Sequence, residues 1–289
     1  MDPYVIDLPL PVRWFLVNAV IVPRRSRASS RLYRKIWMEE GSPLFIHTMK
    51  LGAGVQANLG NRYHVKACMR YGFPSIEKAV KELKGEGVTK VFIVPLYPQY
   101  SAAATESALT EALQQLERAK MEADYLRYFF DSEAYLSAVT QVSAPILSRL
   151  VYDHVLFSFH GLPEKQIRKP APHCYREQCF QTAERLASRL FIKPDQYSVC
   201  FQSRLSRAWI KPFTDEFYRT LPQRGIKKIV VFCPSFVADC LETLEEVAIR
   251  GKEEFLRHGG KELHLIASLN AEDIWVDSLS RMIQEKLPA

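Results

Sequence analysis

The sequence predicts an α/β fold of two doubly wound lobes with parallel sheets and a ligand cleft between them. Three observations predict it. Short apolar, β-branched runs alternate with longer segments of helical period, which is the pattern of βαβ units. The runs are continuously apolar rather than alternating, as in strands buried on both faces. The pattern also runs twice. Gly87-Val-Thr-Lys-Val-Phe-Ile-Val-Pro95 and Gly225-Ile-Lys-Lys-Ile-Val-Val-Phe-Cys-Pro234 match with an offset of one residue, and a turn and a helical segment follow each.

In chain order, strands are expected at Tyr63–Cys68, Lys90–Pro95, Tyr125–Phe130, His154–Phe159, Tyr197–Phe201, Ile229–Cys233 and Leu263–Ala267. Helices are expected at Pro74–Lys84, Ala103–Lys120, Tyr175–Leu190, Thr214–Leu221, Asp239–Arg257 and Ala271–Lys286. A polar stretch at Asp131–Ser137 follows the third strand and divides the chain into lobes of residues 1–133 and 134–289. The apolar run Trp14 to Val22 is too short for a membrane span of ~20 residues and follows no basic leader, so it reads as a buried segment.

Composition agrees. The 289 residues are 47% hydrophobic and 25% charged, enough to build cores for one large or two ordinary domains. Lys+Arg 39 against Asp+Glu 32 leaves a net charge of +7, concentrated between Arg24 and Lys35. No recognition motif accompanies that cluster, so nucleic acid is not an expected partner. Six cysteines in a chain of this length are not a disulfide framework, and with no secretory leader the expected location is the cytoplasm, with reduced thiols. There is no G-x-G-x-x-G, no G-x-x-x-x-G-K-[ST] and no G-x-S-x-G, which excludes the common nucleotide loops and the nucleophile elbow.

In parallel sheets of this kind ligands bind beyond the carboxyl ends of the strands. Three strand ends carry chemistry. Pro95-Leu-Tyr97-Pro98-Gln-Tyr100 is a stiff turn with two amphipathic rings, which alone reads as packing between lobes. Ser158-Phe-His160-Gly-Leu-Pro163 puts an imidazole, able to bind a metal or accept a proton, at the end of an apolar strand. Cys233-Pro-Ser-Phe leads into Asp239-Cys-Leu-Glu242-Thr-Leu-Glu-Glu246, where helical spacing aligns Glu242, Glu246 and Arg250 on one face. Acidic residues in a first turn also serve the helix dipole, and that is the plain structural reading. The functional reading is a carboxylate row able to pass metal ions or protons. One His and one Glu lack the four ligands of a closed structural site and suit a metal that must leave again.

These segments resemble the ferrochelatase family, nearest its proteobacterial, protoporphyrin-using branch. The resemblance rests on Ile36-Trp-Met-Glu-Glu-Gly-Ser-Pro-Leu44, Met69-Arg-Tyr-Gly-Phe-Pro74, Val94-Pro-Leu-Tyr-Pro-Gln-Tyr-Ser101, Ser158-Phe-His-Gly-Leu-Pro163, Phe201-Gln-Ser-Arg204 with Trp209, and Cys233 through Glu246, six motifs in family order. It implies two Rossmann-like lobes around a porphyrin cleft, with the last helix, 271–286, packing back on the N-terminal lobe. It implies insertion of Fe²⁺, as substrate, into protoporphyrin IX to give protohaem, with no required cofactor. By resemblance His160 and Glu242 are the essential pair, and His160, Glu242, Glu246 and Asp239 are the metal-handling residues. Arg70, Tyr71, Tyr97 and Trp209 take cleft-lining positions, and Arg34 and Lys35 a basic pair near the propionates.

Three departures accompany the resemblance. The family's first N-terminal strand and glycine turn have no counterpart before Met1-Asp-Pro-Tyr. Cys240 stands where some relatives carry a second His, and Arg250 where some carry an acid. Some relatives hold a [2Fe–2S] cluster, but Cys174-x₄-Cys179 with Cys200 fits its spacing only loosely, and ordinary thiols are expected. Rival readings are a non-catalytic porphyrin-binding protein and a coproporphyrin or other tetrapyrrole chelatase. A hydrophobic product is compatible with peripheral membrane contact without a span.

Overall fold

A computed structural model describes residues 2–6, 9–167 and 174–287; the side chains at 13, 16, 20, 21 and 23–27, and with them the basic run from Arg24, lie outside that description. The chain begins with α1 (Leu10–Phe15), a π-helical stretch (Leu16–Ile21) and α2 (Val22–Arg34), which follow one another directly. Then come α3 (Pro43–Leu59), α4 (Ile76–Gly85), β1 (Lys90–Ile93), a π-helical turn (Ala102–Glu106) running into α5 (Ser107–Arg118), β2 (Glu122–Tyr125) and α6 (Glu133–Leu147). The second half holds β3 (His154–His160), α7 (Tyr175–Arg189), β4 (Tyr197–Gln202), α8 (Thr214–Thr220), β5 (Lys228–Phe232), a long π-helix (Leu241–Gly251), α9 (Lys252–Arg257), β6 (Glu262–Leu265) and α10 (Asp273–Lys286).

Local chemistry sets the helix starts. Ser42, Ser75, Ser101 and Ser132 each accept a backbone N–H from three residues on, and Pro43 follows Ser42 where a missing N–H is harmless. All strand pairs are parallel. One sheet has the order β4-β3-β5-β6, and the other pairs β1 with β2. The first six residues of β3, His154–Phe159, are buried, as its central place between β4 and β5 requires. This is the α/β fold with two parallel sheets that the alternation predicts.

The largest core lies between the sheets and the helices crossing their faces. Trp275 is fully buried, stacked on Phe129 at 5.9 Å and edge-on to Tyr135 at 6.2 Å, which ties α10 and α6 to the segment after β2. Helix α10 packs against both α6 and α3. Asn58 on α3 donates to Asp277 on α10 at 2.7 Å, and Gly54 leaves room for Val276.

Several expectations are corrected. In the run Trp14 to Val22 none of the described side chains is buried: Trp14 and Phe15 stand 58% and 62% exposed on the N-terminal helix. Residues 63–68 run extended but join no ladder. Gln56 serves their backbone instead, donating to Tyr63 O and accepting from Val65 N–H. The strand expected at Tyr125–Phe130 forms three residues earlier, because β2 pairs Glu122 with Lys90 and ends opposite Ile93. Residues 241–251 are π-helical, so Asp239 and Cys240 precede the helix rather than open it. Helices α1 to α3 and α6 lie outside the expected set. In α3, Gly52-Ala-Gly54 weakens the helical signal, yet the gap suits a close approach to Ala67.

Candidate active site

The carboxyl ends of β1, β3 and β5 face a cavity of about 760 Å³ lined mainly by apolar side chains. His160, Glu242, Tyr97, Arg70, Phe236 and Cys240 all line it. His160 is the last residue of β3, and its ring lies 6.4 Å from Trp209 and 6.1 Å from Phe236. Its Nδ1 sits 2.6 Å from the Gly161 carbonyl oxygen. A carbonyl only accepts, so Nδ1 carries the hydrogen in the neutral ring and Nε2 is left with its lone pair. Tyr175 donates to the His160 carbonyl at 2.7 Å and lies 3.2 Å from the Ser235 hydroxyl, joining the ends of β3 and β5 through α7.

Gln202 links the two key residues. It pairs with His160 in the ladder, accepts from Ser158 Oγ at 2.7 Å, and donates to the Glu242 carbonyl at 2.8 Å. The start of the π-helix is fixed by Asp239. Its carboxylate accepts from Thr243 Oγ1 at 2.9 Å and Asn270 Nδ2 at 2.8 Å, and it is buried. Burial and the nearby Glu242 charge push the Cys240 thiol well above its ordinary range, so it stays protonated. Burial, Glu242 and Cys240 likewise raise the Tyr33 phenol.

The expected site residues divide. His160, Glu242, Arg70 and Tyr97 share the cavity, and Trp209 flanks His160. Glu246 points elsewhere. Both its oxygens are held by Ser203, through N–H at 2.8 Å and Oγ at 2.6 Å, and it lines a second pocket of about 280 Å³ with Arg204 and Arg250. Ser203 takes a left-handed φ of 63° to aim both donors there. Asp239 is spent on the loop. The expected metal set of His160, Glu242, Glu246 and Asp239 is therefore not brought together, and among the described residues no group of three His, Cys, Asp or Glu is placed to hold a metal.

Arg70 and Tyr71 both bond Asp2, at 3.1 and 2.6 Å, with Ser107 as a third donor. Burial alone would raise the Asp2 carboxyl, but these bonds and the Arg70 charge hold it below its usual range. Arg34 is exposed, and Lys35 pairs with Glu245 at 3.3 Å. Of the loosely cluster-like cysteines, Cys174 points at the Ile167 carbonyl and Cys200 at the Phe157 carbonyl, and Cys179 is buried on α7. Sequence reasoning missed Gln202, Tyr175, Tyr33 and Phe236. Only the strand-end position of Gln202 and Phe236 carried any signal.

A ferrochelatase family profile matches residues 1–287. The chain belongs to the ferrochelatase family. It is 41% identical to the ferrochelatase of Coxiella burnetii (strain CbuK_Q154) over 306 aligned positions, covering 99% of this chain and 86% of that one. It is 40% identical to the ferrochelatase of Bdellovibrio bacteriovorus, covering 98% and 90%, and 41% identical to that of Pseudomonas aeruginosa (strain UCBPP-PA14), covering 98% and 89%. Among solved structures, SirB from Bacillus subtilis with Fe³⁺ matches with a TM-score of 0.59 at 16% identity, over 86% of this chain and 92% of that one. That likeness shows the two-lobed chelatase fold. This ferrochelatase is thus an enzyme of the metal-chelatase (lyase) class, and among its described residues no helix is long and apolar enough to cross a membrane.

Proposed function

We propose that this ferrochelatase inserts Fe²⁺ into protoporphyrin IX to give protohaem, releasing two protons and using no cofactor. The observation that carries the reading is the pairing of His160 and Glu242, from different lobe elements, in one large apolar cavity. A flat porphyrin hides its nitrogen lone pairs in the ring plane. Tyr97, Phe236 and Trp209 give rigid faces against which remote binding energy can bend it. His160, with Nε2 free, serves as first metal ligand or proton acceptor, and Glu242 as the partnering base. The exposed Arg34 is a propionate partner, through charge-assisted hydrogen bonds, while Arg70 lines the cavity, held by Asp2. Glu246 lies outside the cavity, and in this reading it relays protons rather than holding the metal.

Six free cysteines fit a reducing compartment, the cytoplasm. Exposed Leu10, Val12, Trp14 and Phe15 on one N-terminal helix support peripheral membrane contact. The assay is anaerobic insertion of Fe²⁺, with Zn²⁺ as control, into protoporphyrin IX and coproporphyrin in competition. Wild type is expected to turn over many times and to prefer protoporphyrin. His160→Ala and Glu242→Ala are expected to abolish insertion while the porphyrin still quenches Trp fluorescence. Normal turnover in both variants would sink the assignment.

A further inference from the structure

Glu245 is the one carboxylate of the π-helix that the proposed chemistry leaves without a task. Its side chain is 1% exposed, and two cations reach it from different places: Lys35 Nζ at 3.3 Å on Oε1 and Arg250 Nε at 3.4 Å on Oε2. Both cations are about half exposed, at 46% and 59%. A buried carboxylate is stable only while it is paired, and stripping one partner is strongly unfavourable. Lys35 directly follows α2, and α2 packs on the π-helix. Two residues earlier, the Tyr33 ring meets Trp37 edge-on at 6.2 Å.

Eleven residues of π-helix is a long run of a geometry that is usually confined to one turn. Such a helix needs outside support, and the structure supplies three tethers. Thr243 is tied to Asp239, Glu246 to Ser203, and Glu245 to Lys35 and Arg250. The first two join the π-helix to its own lobe. The third joins it to the N-terminal helix at the turn that carries Glu242.

We propose that Glu245 is a positioning residue: through Lys35 it holds the end of α2 on the π-helix, and so fixes the Glu242 carboxylate in the cavity with His160. Lys35 then acts on Glu245 rather than on the porphyrin. The catalytic part of this inference rests on the chelatase reading; the tether itself does not.

The test uses the full chain with Glu245→Gln, Lys35→Met and the double variant. Zn²⁺ insertion is expected to lose about tenfold in kcat in each single variant, with the porphyrin Kd, read by Trp quenching, unchanged. The double variant is expected to be no worse than either single one, because one interaction is removed in all three. Trypsin cleavage at Arg31 and Arg34, sites that every variant keeps, is expected to be about tenfold faster in the variants, at unchanged cleavage elsewhere. Wild-type kcat in both single variants overturns the proposal. So does a weakened porphyrin Kd in Lys35→Met with multiplicative losses in the double variant. If the wild-type chain inserts no metal, the chelatase reading fails on its own and the trypsin arm decides alone; unchanged cleavage then overturns the tether. In Lys35→Met the buried carboxylate keeps Arg250, so that variant carries the test should Glu245→Gln fail to fold.

Discussion

Gly161 is the point where a single methyl group should disturb both halves of the site. A Cβ built on it would lie 2.6 Å from the Gln202 carbonyl oxygen and 3.2 Å from Cε3 of Trp209. A carbon–oxygen contact is comfortable at about 3.3 Å, so Gly161→Ala demands roughly 0.7 Å of movement in backbone that cannot rotate away. The same Gln202 carbonyl accepts the Gly161 N–H at 2.8 Å, so the movement also stretches a buried hydrogen bond. Overpacking of this kind costs about 1–3 kcal/mol, and the weakened bond adds about 1. At about 2–4 °C per kcal/mol for a chain of this size, Tm should fall by roughly 5–15 °C. Activity should fall too. Gln202 holds the Glu242 carbonyl and pairs with His160, and ~1 Å of misplacement can cost 10²-fold in rate. Calorimetry and Zn²⁺ insertion measure the two effects. Gly85→Ala is the control: its Cβ would meet nothing within 4 Å, at the end of α4. It should be neutral or stabilise by up to about 1 kcal/mol. Wild-type Tm and kcat in Gly161→Ala would refute the reasoning.

The remaining predictions concern the core and pH. Trp275→Ala should destabilise by about 3–5 kcal/mol in chemical denaturation, the cost of an unfilled aromatic site. Trp275→Phe should cost much less than that difference in size suggests, because Trp275 Nε1 is buried with no partner and the change removes an unmet donor. Burial, with the Arg224 charge, lowers the His154 pKa below its ordinary 6.5. Burial does the same to His47, against the pull of Asp239. The unfolded chain therefore takes these protons first: stability is complete above the unfolded value and is lost as pH falls through the folded one. Tm should drop as pH falls below about 6.5, and His154→Gln should flatten part of that drop; an identical slope in the variant would remove His154 from the account.

The sequence by itself determined much of this protein. Continuous apolar runs such as Val155–Phe159 can be stable only in a sheet covered on both faces, and strand–helix alternation then dictates parallel ladders and a site at the carboxyl ends. That logic places His160 at a strand end, and the motif order carries Glu242 with it. What the sequence left undecided were the features that depend on which partner a side chain finds. Glu242 and Glu246 look equivalent along the chain, four residues apart, yet one lines the cavity and the other is taken by Ser203. Asp239 looks like a ligand and serves as an anchor, because Asn270 and Thr243 reach it from elsewhere in the fold. Lys35 and Glu245 are 210 positions apart, and nothing in either local segment announces the pair. Trp14, Phe15 and Val22 read as core but stand exposed, since hydrophobicity fixes what a residue would prefer and not which surface remains to cover it. Periodicity and propensity are properties of neighbours in sequence, so they write the fold class. Side-chain pairing is a property of neighbours in space, so only the folded chain decides which carboxylate faces the cavity.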